Sequence, residues 1–322
     1  MSKIFISDFK ENQVIDTIFL VLYKAMPVGK TGKPYLALKF GDRTGDVEAK
    51  VWDEAPKVGA LFEKNDFVQV KGRIQTYQDK FQINIFEIKK IPEETISIAD
   101  FLPITRFDIE EMYQELLELV RQQVEEPDVK RLLLAVFENP EIAKKYKKAP
   151  AAKSMHHAFI GGLLEHELGL ARLAVDVCRH YPHIQKSYVI AGCLLHDIGK
   201  IDELAYSRSF EYTDEGKFIG HLVMGIELIT KTAASLENFP ERTALLLKHL
   251  VASHHGSLEF GSPKIPYTLE ALMVHYLDDM DSKLQAMKTL IDKEWNTDSP
   301  WTSYHRLFDR FMYKGIEWQK KE

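Results

Sequence analysis

Adjacent His196 and Asp197 end an apolar run, Val189 to Leu195, and Gly199-Lys200 break away from it. A carboxylate beside an imidazole at the end of such a run needs a partner, because an isolated charge taken out of water is costly. A divalent cation satisfies both groups at once. Their nitrogen and oxygen donors suit Mn, Fe, Co, Ni or Zn better than Ca or Mg alone. A lone His-Asp dipeptide arises by chance; the placing of the other histidines gives this one weight. All twelve histidines lie beyond residue 155, and residues 1–155 have none.

The elements that must position these groups read as helices. His166 lies in an apolar helical pattern with Leu163, Leu170, Leu173 and Ala174, behind a double glycine, Gly161-Gly162, that permits close backbone approach. Taken alone it reads as a hydrogen-bonded core histidine. Ser187 to Leu195 delivers His196-Asp197. Phe218-Ile219-Gly220-His221 opens a helix through Val223, Ile226 and Ile229. Glu241 to His255 ends in Ser253-His254-His255-Gly256, and Leu269 to Lys293 carries His275, Asp278, Asp279 and Asp281. Asp278 sits on the apolar side with Met273 and His275; Asp281 is one turn on, and Asp279 faces elsewhere. Each member of the set His166, His196-Asp197, His221, His254-His255 and Asp278 falls on a different helix, the way bundles build metal sites. His180, His183, His249 and His305 fall outside it. His156 and His157 either meet substrate phosphate or cap a helix.

Residues 1–92 read as strands: Val14 to Tyr23, Tyr35 to Phe40, Asp46 to Trp52, Phe67 to Ile74 and Phe81 to Ile88, with turns at Gly41 to Gly45 and near Gln78-Asp79. A break over Asp53 to Asn65 separates the third and fourth. Five strands so spaced resemble an OB-fold barrel, whose face binds oligonucleotides. Tyr35, Phe40, Trp52, Tyr77 and Phe81 are candidate stackers for bases, and Lys39, Lys50, Lys71, Arg73 and Lys80 are candidate phosphate contacts. Among the aromatics Trp52 is the one most expected to be part-buried. This segment holds fifteen Lys and Arg against twelve Asp and Glu, within a chain of net charge -6. That overall balance excludes a protein that coats nucleic acid by bulk attraction, but not a local basic groove.

The 322 residues are enough for two domains, with a composition ordinary for globular proteins. Residues 93–150 read as a linker and connecting helices, from Asp108 to Val120 and from Asp128 to Phe137, and residues 151–322 as the all-α second domain. Cys178 and Cys193 read as core residues of a reducing compartment. No run approaches the roughly 18 apolar residues of a membrane span, and the N-terminal stretch has no signal-like apolar core. A cytoplasmic protein with no membrane partner is expected.

The quoted order resembles the HD-domain phosphohydrolases. An OB domain followed by His-His-Ala-Phe-Ile-Gly-Gly-Leu-Leu-Glu-His (156–166), Leu-Leu-His-Asp-Ile-Gly-Lys (194–200), Gly-His (220–221), Ser-His-His-Gly (253–256) and His-Tyr-Leu-Asp-Asp-Met-Asp-Ser-Lys (275–283) is similar to the YhaM family of bacterial 3′→5′ exoribonucleases over nearly the whole chain. The resemblance implies two divalent ions, Mn first and Co, Fe, Ni or Mg as alternatives. Asp197 would bridge them, His166, His196 and Asp278 would complete one, and His221 with His254 or His255 the other. Lys200 would steady a phosphate oxygen. The expected function is a metal-dependent 3′-5′ exoribonuclease releasing nucleoside 5′-monophosphates from single-stranded RNA, DNA being a second substrate and a homo-oligomer one arrangement. The alternative is an HD hydrolase of a small nucleotide, with a regulatory barrel.

Overall fold

The computed structural model describes residues 3–29, 32–77, 80–153, 157–206, 208, 210–295 and 299–315. The chain divides into two compact units, residues 1–104 with 206–209, and residues 105–205 with 210–322. The turn at Gln78-Asp79 and His156 lie outside the described residues.

The first unit is a closed barrel. Its strands are β1 (Val14–Ala25), β2 (Leu36–Asp42), β3 (Gly45–Val51), β4 (Phe67–Tyr77) and β5 (Lys80–Ile91), in the order β1-β2-β3-β5-β4. All pairings are antiparallel except β3 with β5, which is parallel. A short helix, α1 (Ala55–Gly59), fills the break between β3 and β4. The OB-fold expectation holds. Alternation decides the two faces. Leu36, Leu38 and Phe40 point inward from β2, and with Phe19, Val68, Val70, Ile74 and Ile83 they fill the barrel.

Phe40 is therefore no base stacker. It is fully buried, its ring stacked on Phe19 at a centroid distance of 5.4 Å. Trp52 departs from expectation the other way: it lies just past the end of β3, is 60% exposed, and stacks on Tyr35 at 4.5 Å. Tyr77 is exposed as well, with Lys50 Nζ 5.6 Å from its ring centroid. Strand register aligns Lys50 on β3 with Asn84 on β5, and Asn84 with Arg73 on β4. Lys39 pairs with Asp46 at 3.0 Å.

The second unit begins with α2 (Ile109–Gln123), α3 (Pro127–Phe137) and α4 (Pro140–Tyr146), which pack with it rather than forming a free connector. The Asp108 carboxylate accepts from the Glu111 amide and so caps α2. There follow α5 (Gly162–Cys178), α6 (Lys186–Leu195), α7 (Lys200–Glu203), a two-stranded ribbon of β6 (Leu204–Ala205) and β7 (Glu211–Tyr212), α8 (Asp214–Phe218), α9 (His221–Ser235), α10 (Glu241–Ser253) and α11 (Leu269–Lys293). Every residue of α6 from Ser187 to Leu195 is buried except Tyr188, which accounts for its unbroken apolar run. Cys178 and Cys193 are buried and unpaired. No helix among the described residues is long and apolar enough to cross a membrane.

Phe40→Ala is expected to destabilise the barrel by about 3–5 kcal/mol, the cost of emptying a core aromatic site. Trp52→Ala is expected to cost only about 1 kcal/mol, roughly its stacking on Tyr35. Urea unfolding of the two variants checks the ordering, and equal losses would contradict the inside-outside assignment.

Candidate metal centre

Five imidazoles and two carboxylates converge in the helical unit. His166 sits one turn into α5, His196 caps the C-terminus of α6 with Asp197 next, His221 is the first residue of α9, His254 and His255 follow α10, and Asp278 lies mid-way along α11. The chain crossing that brings α9 to the His-Asp turn depends on Gly199. A Cβ there would lie 2.0 Å from the His221 carbonyl oxygen and 2.8 Å from the Gly225 amide nitrogen. Only glycine lets the two backbones approach so closely.

Asp278 Oδ1 is 3.2 Å from His166 Nε2 and 3.7 Å from His196 Nε2. Asp197 Oδ2 is 3.4 Å from His196 Nε2. The other oxygen of Asp197, Oδ1, is 3.3 Å from His221 Nε2 and 3.6 Å from His254 Nε2. Asp197 thus stands between a group of His166, His196 and Asp278 and a group of His221, His254 and His255, and the latter three have ligand atoms within 4.8 Å of one another. All seven expected positions are brought together. His196, His254 and Asp197 are almost wholly buried.

Each ring is held by its far nitrogen. Nδ1 faces the Cys193 carbonyl at 3.0 Å in His196, the Val251 carbonyl at 2.9 Å in His254 and the Phe260 carbonyl at 3.1 Å in His255. In His221 it faces Glu203 Oε1 at 2.9 Å, and in His166 Asp281 Oδ2 at 2.8 Å. Such bonds place the proton on Nδ1 and leave the Nε2 lone pair for a cation. Glu203 carries no helical-period signal that marks it in advance, whereas Asp281 shares the helix face of Asp278. His275 is a further supporting residue: its Nδ1 faces the His254 carbonyl at 2.8 Å. Asp279 pairs with Lys283 outside the cluster.

Electrostatics agree with a cation site. Burial holds His254 and His255 below the ordinary imidazole range, so both are neutral donors. Burial opposes protonation of His166 too, but bonds to Asp278 and Asp281 outweigh it and push the group up to about 9. Burial likewise disfavours charge on Asp197 and Asp278, yet Lys200 and His196 hold the former, and His166 and His196 the latter, well below the carboxylate range. Of the seven gathered residues, two have a buried polar atom with no hydrogen-bond partner among the described residues, Asp197 Oδ1 and His221 Nε2. They face one another at 3.3 Å. When His221 Nδ1–H donates to Glu203, a cation between Nε2 and the Asp197 oxygen satisfies both atoms. The residues fit a divalent metal. Lys200 is already engaged: its Nζ donates to Asp197 Oδ2 at 2.5 Å and to the Ala151 carbonyl at 2.7 Å.

Comparison with known proteins bears on this geometry. The HD-domain family model matches residues 163–283, and the OB-fold nucleic-acid-binding model tRNA_anti-codon matches residues 21–91. The helicase model TraI_2 matches residues 109–202. A protein of Geobacillus sp. (strain WCH70) named 3′-5′ exoribonuclease YhaM is 33% identical over 312 residues, spanning 96% of this chain and 94% of its own. The chain belongs to the YhaM family. A second member so named, from Bacillus velezensis, is 32% identical over 87% of this chain and 88% of its own. The second OB-fold domain of replication protein A from Methanococcus maripaludis, a solved structure, is 23% identical, covers 28% of this chain and 95% of that chain, and has a TM-score of 0.23. The protein is a hydrolase with an HD domain that binds divalent metal and an OB-fold nucleic-acid-binding domain.

Below its raised pKa His166 carries a proton that a cation must displace. Metal affinity is therefore expected to rise with pH, by up to about tenfold per unit for one proton, until about pH 9. Calorimetric titration in buffers of different ionisation heat reads the released proton; pH-independent affinity would contradict the assignment. Gly199→Ala is expected to cost about 1–3 kcal/mol through backbone displacement and to abolish tight metal binding, read by thermal melts with and without Mn.

Proposed function

We propose that the protein is a metal-dependent 3′-5′ exoribonuclease that releases nucleoside 5′-monophosphates from single-stranded RNA, using two cations, manganese first among the candidates. The observation that carries the two-ion reading is the position of Asp197. One of its oxygens faces His196, and the other, without a hydrogen-bond partner, faces His221 and His254. The family names of the relatives carry the RNA substrate and the direction.

His166, His196, Asp197 and Asp278 would hold one ion, and Asp197, His221, His254 and His255 the other. Bound there, the ions supply water activation near neutral pH and offset charge on phosphate oxygens. The protein's part is to keep these donors dry and fixed in orientation. Lys200 serves this by balancing the Asp197 carboxylate. Its bonds to Asp197 and Ala151 leave it acting through that carboxylate rather than on the scissile phosphate. His254 and His255, held neutral, add no positive charge to repel the ions.

The barrel holds the strand. Trp52 on Tyr35, and Tyr77 beside Lys50, offer flat faces for successive bases, and Arg73 and Lys50 meet phosphates. Lys39 joins them on exchange of its surface pair with Asp46, which is worth little in water. Stacking of this kind tolerates any base, so single-stranded DNA is a second substrate.

Incubation with 5′-labelled single-stranded RNA and Mn is expected to yield a ladder shortening from the 3′ end, abolished by chelator and by Asp197→Asn. Trp52→Ala is expected to raise KM for long strands roughly 5- to 100-fold, at about 1–3 kcal/mol per lost stack, with a dinucleotide hydrolysed as before. Equal effects on strand and dinucleotide would favour a small-nucleotide hydrolase instead, and shortening from the 5′ end would overturn the direction.

A further inference from the structure

Next to the seven ligand positions lies a second constellation that the proposed reaction does not use. Asp281 is one turn beyond Asp278 on α11, so both carboxylates leave the same helix face. They meet opposite edges of one ring. Asp278 Oδ1 is 3.2 Å from His166 Nε2, and Asp281 Oδ2 is 2.8 Å from His166 Nδ1. The same Asp281 oxygen is 3.3 Å from His157 Nε2. His157 is 7% exposed, and its Nδ1 is buried without a hydrogen-bond partner, 3.8 Å from Glu165 Oε1. Its backbone is left-handed, φ 47°, a conformation that costs a non-glycine residue about 1 kcal/mol or more. The turn it belongs to is tight. The His157 carbonyl accepts from the Ala151 and Phe159 amides, and a Cβ on Gly162 would lie 2.0 Å from that carbonyl oxygen.

These contacts form a chain from a strained turn to a candidate ligand: His157 to Asp281, and Asp281 to His166. We infer that Asp281 is a positioning residue of the metal centre, fixing the His166 ring with Nε2 inward, and that His157 is the clamp that fixes Asp281. The inference rests on the metal-centre reading of the cluster. Its physical basis is that an imidazole ligand needs its second nitrogen bonded to define both the tautomer and the ring plane. The other four imidazoles take their bond from a carbonyl of the same or adjoining segment or, for His221, from Glu203. His166 takes its bond from α11, and among the described residues the Asp281 carboxylate is bonded by His157 and His166. Asp281 is not a third ligand in this arrangement. Its bonded oxygen faces the nitrogen turned away from Asp278 and His196, and one ring cannot offer Nδ1–H to Asp281 and a lone pair at the same atom.

The test is Mn binding to the full-length protein, by calorimetry and by the electron-spin resonance of bound Mn, in wild type, Asp281→Asn, Asp281→Ala, His157→Phe and His166→Ala. Both Asp281 variants are expected to weaken one of the bound ions about 10- to 100-fold while keeping the number of sites, and His157→Phe to weaken the same ion less. His166→Ala is expected to lose that ion altogether. Melting of the metal-free variants separates positioning from general damage: the isosteric Asp281→Asn is expected to stay within a few degrees of wild type and still bind weakly. Wild-type affinity in Asp281→Asn and Asp281→Ala overturns the inference and leaves the metal centre standing. Absence of Mn binding in the wild type overturns the metal centre and the inference together. Weakened binding that tracks the loss of melting temperature in every variant also overturns it.

Discussion

The structure turns on one electrostatic problem. Asp197 and Asp278 are ionised in surroundings from which water is largely excluded, with five imidazoles packed around them. A carboxylate in such a place needs compensation, and a proton or a lysine ammonium supplies only part of it. Lys200 neutralises one oxygen of Asp197; the other has no hydrogen-bond partner among the described residues and faces His221 Nε2. The arrangement is frustrated as a set of protein groups alone and satisfied as a set of ligands. Burial raises the stakes in both directions: it makes the unmatched charge costly and the interaction with a cation strong.

The fold answers the same problem by bringing ligands in at helix ends and by anchoring each ring from behind. His196, His221, His254 and His255 all sit at or just past a terminus, where the backbone is free to turn and nearby carbonyls are free to accept a proton. That is why the Nδ1 bonds of His196, His254 and His255 are local, while His221, at a helix N-terminus, takes its bond from Glu203. His166 and Asp278 lie inside helices, whose carbonyls are taken, and there orientation has to come from other side chains. Gly199 is the counterpart on the backbone side, since it removes the one Cβ that would keep α9 away from the His-Asp turn.

The barrel divides its aromatics by strand parity. Those in phase with the apolar leucines fill the interior. Trp52, Tyr77 and Tyr35 stand at or just beyond strand ends, where Trp52 stacks on Tyr35 and Tyr77 lies beside Lys50. A surface rich in flat faces and cations, on a unit with its own complete core, is stable without its ligand.

Much of this was legible in the chain. Residue chemistry and helical spacing, read with the family resemblance, picked out His166, His196, Asp197, His221, His254, His255 and Asp278, which the structure gathers in one place. Strand alternation determined the barrel, and it also carried a signal against Phe40, which shares the phase of Leu36 and Leu38. Trp52 lay beyond the strand, where alternation stops informing. What tertiary structure alone decided is which nitrogen of each ring faces which neighbour. Asp278 and Asp281 are equivalent by spacing, one turn apart on the same face; they differ because α5 presents His166 edge-on between them. Glu203 and His157 matter through contacts 18 and 124 residues away in sequence. Periodicity reports which face of an element is buried, and it holds no information on what another element places opposite.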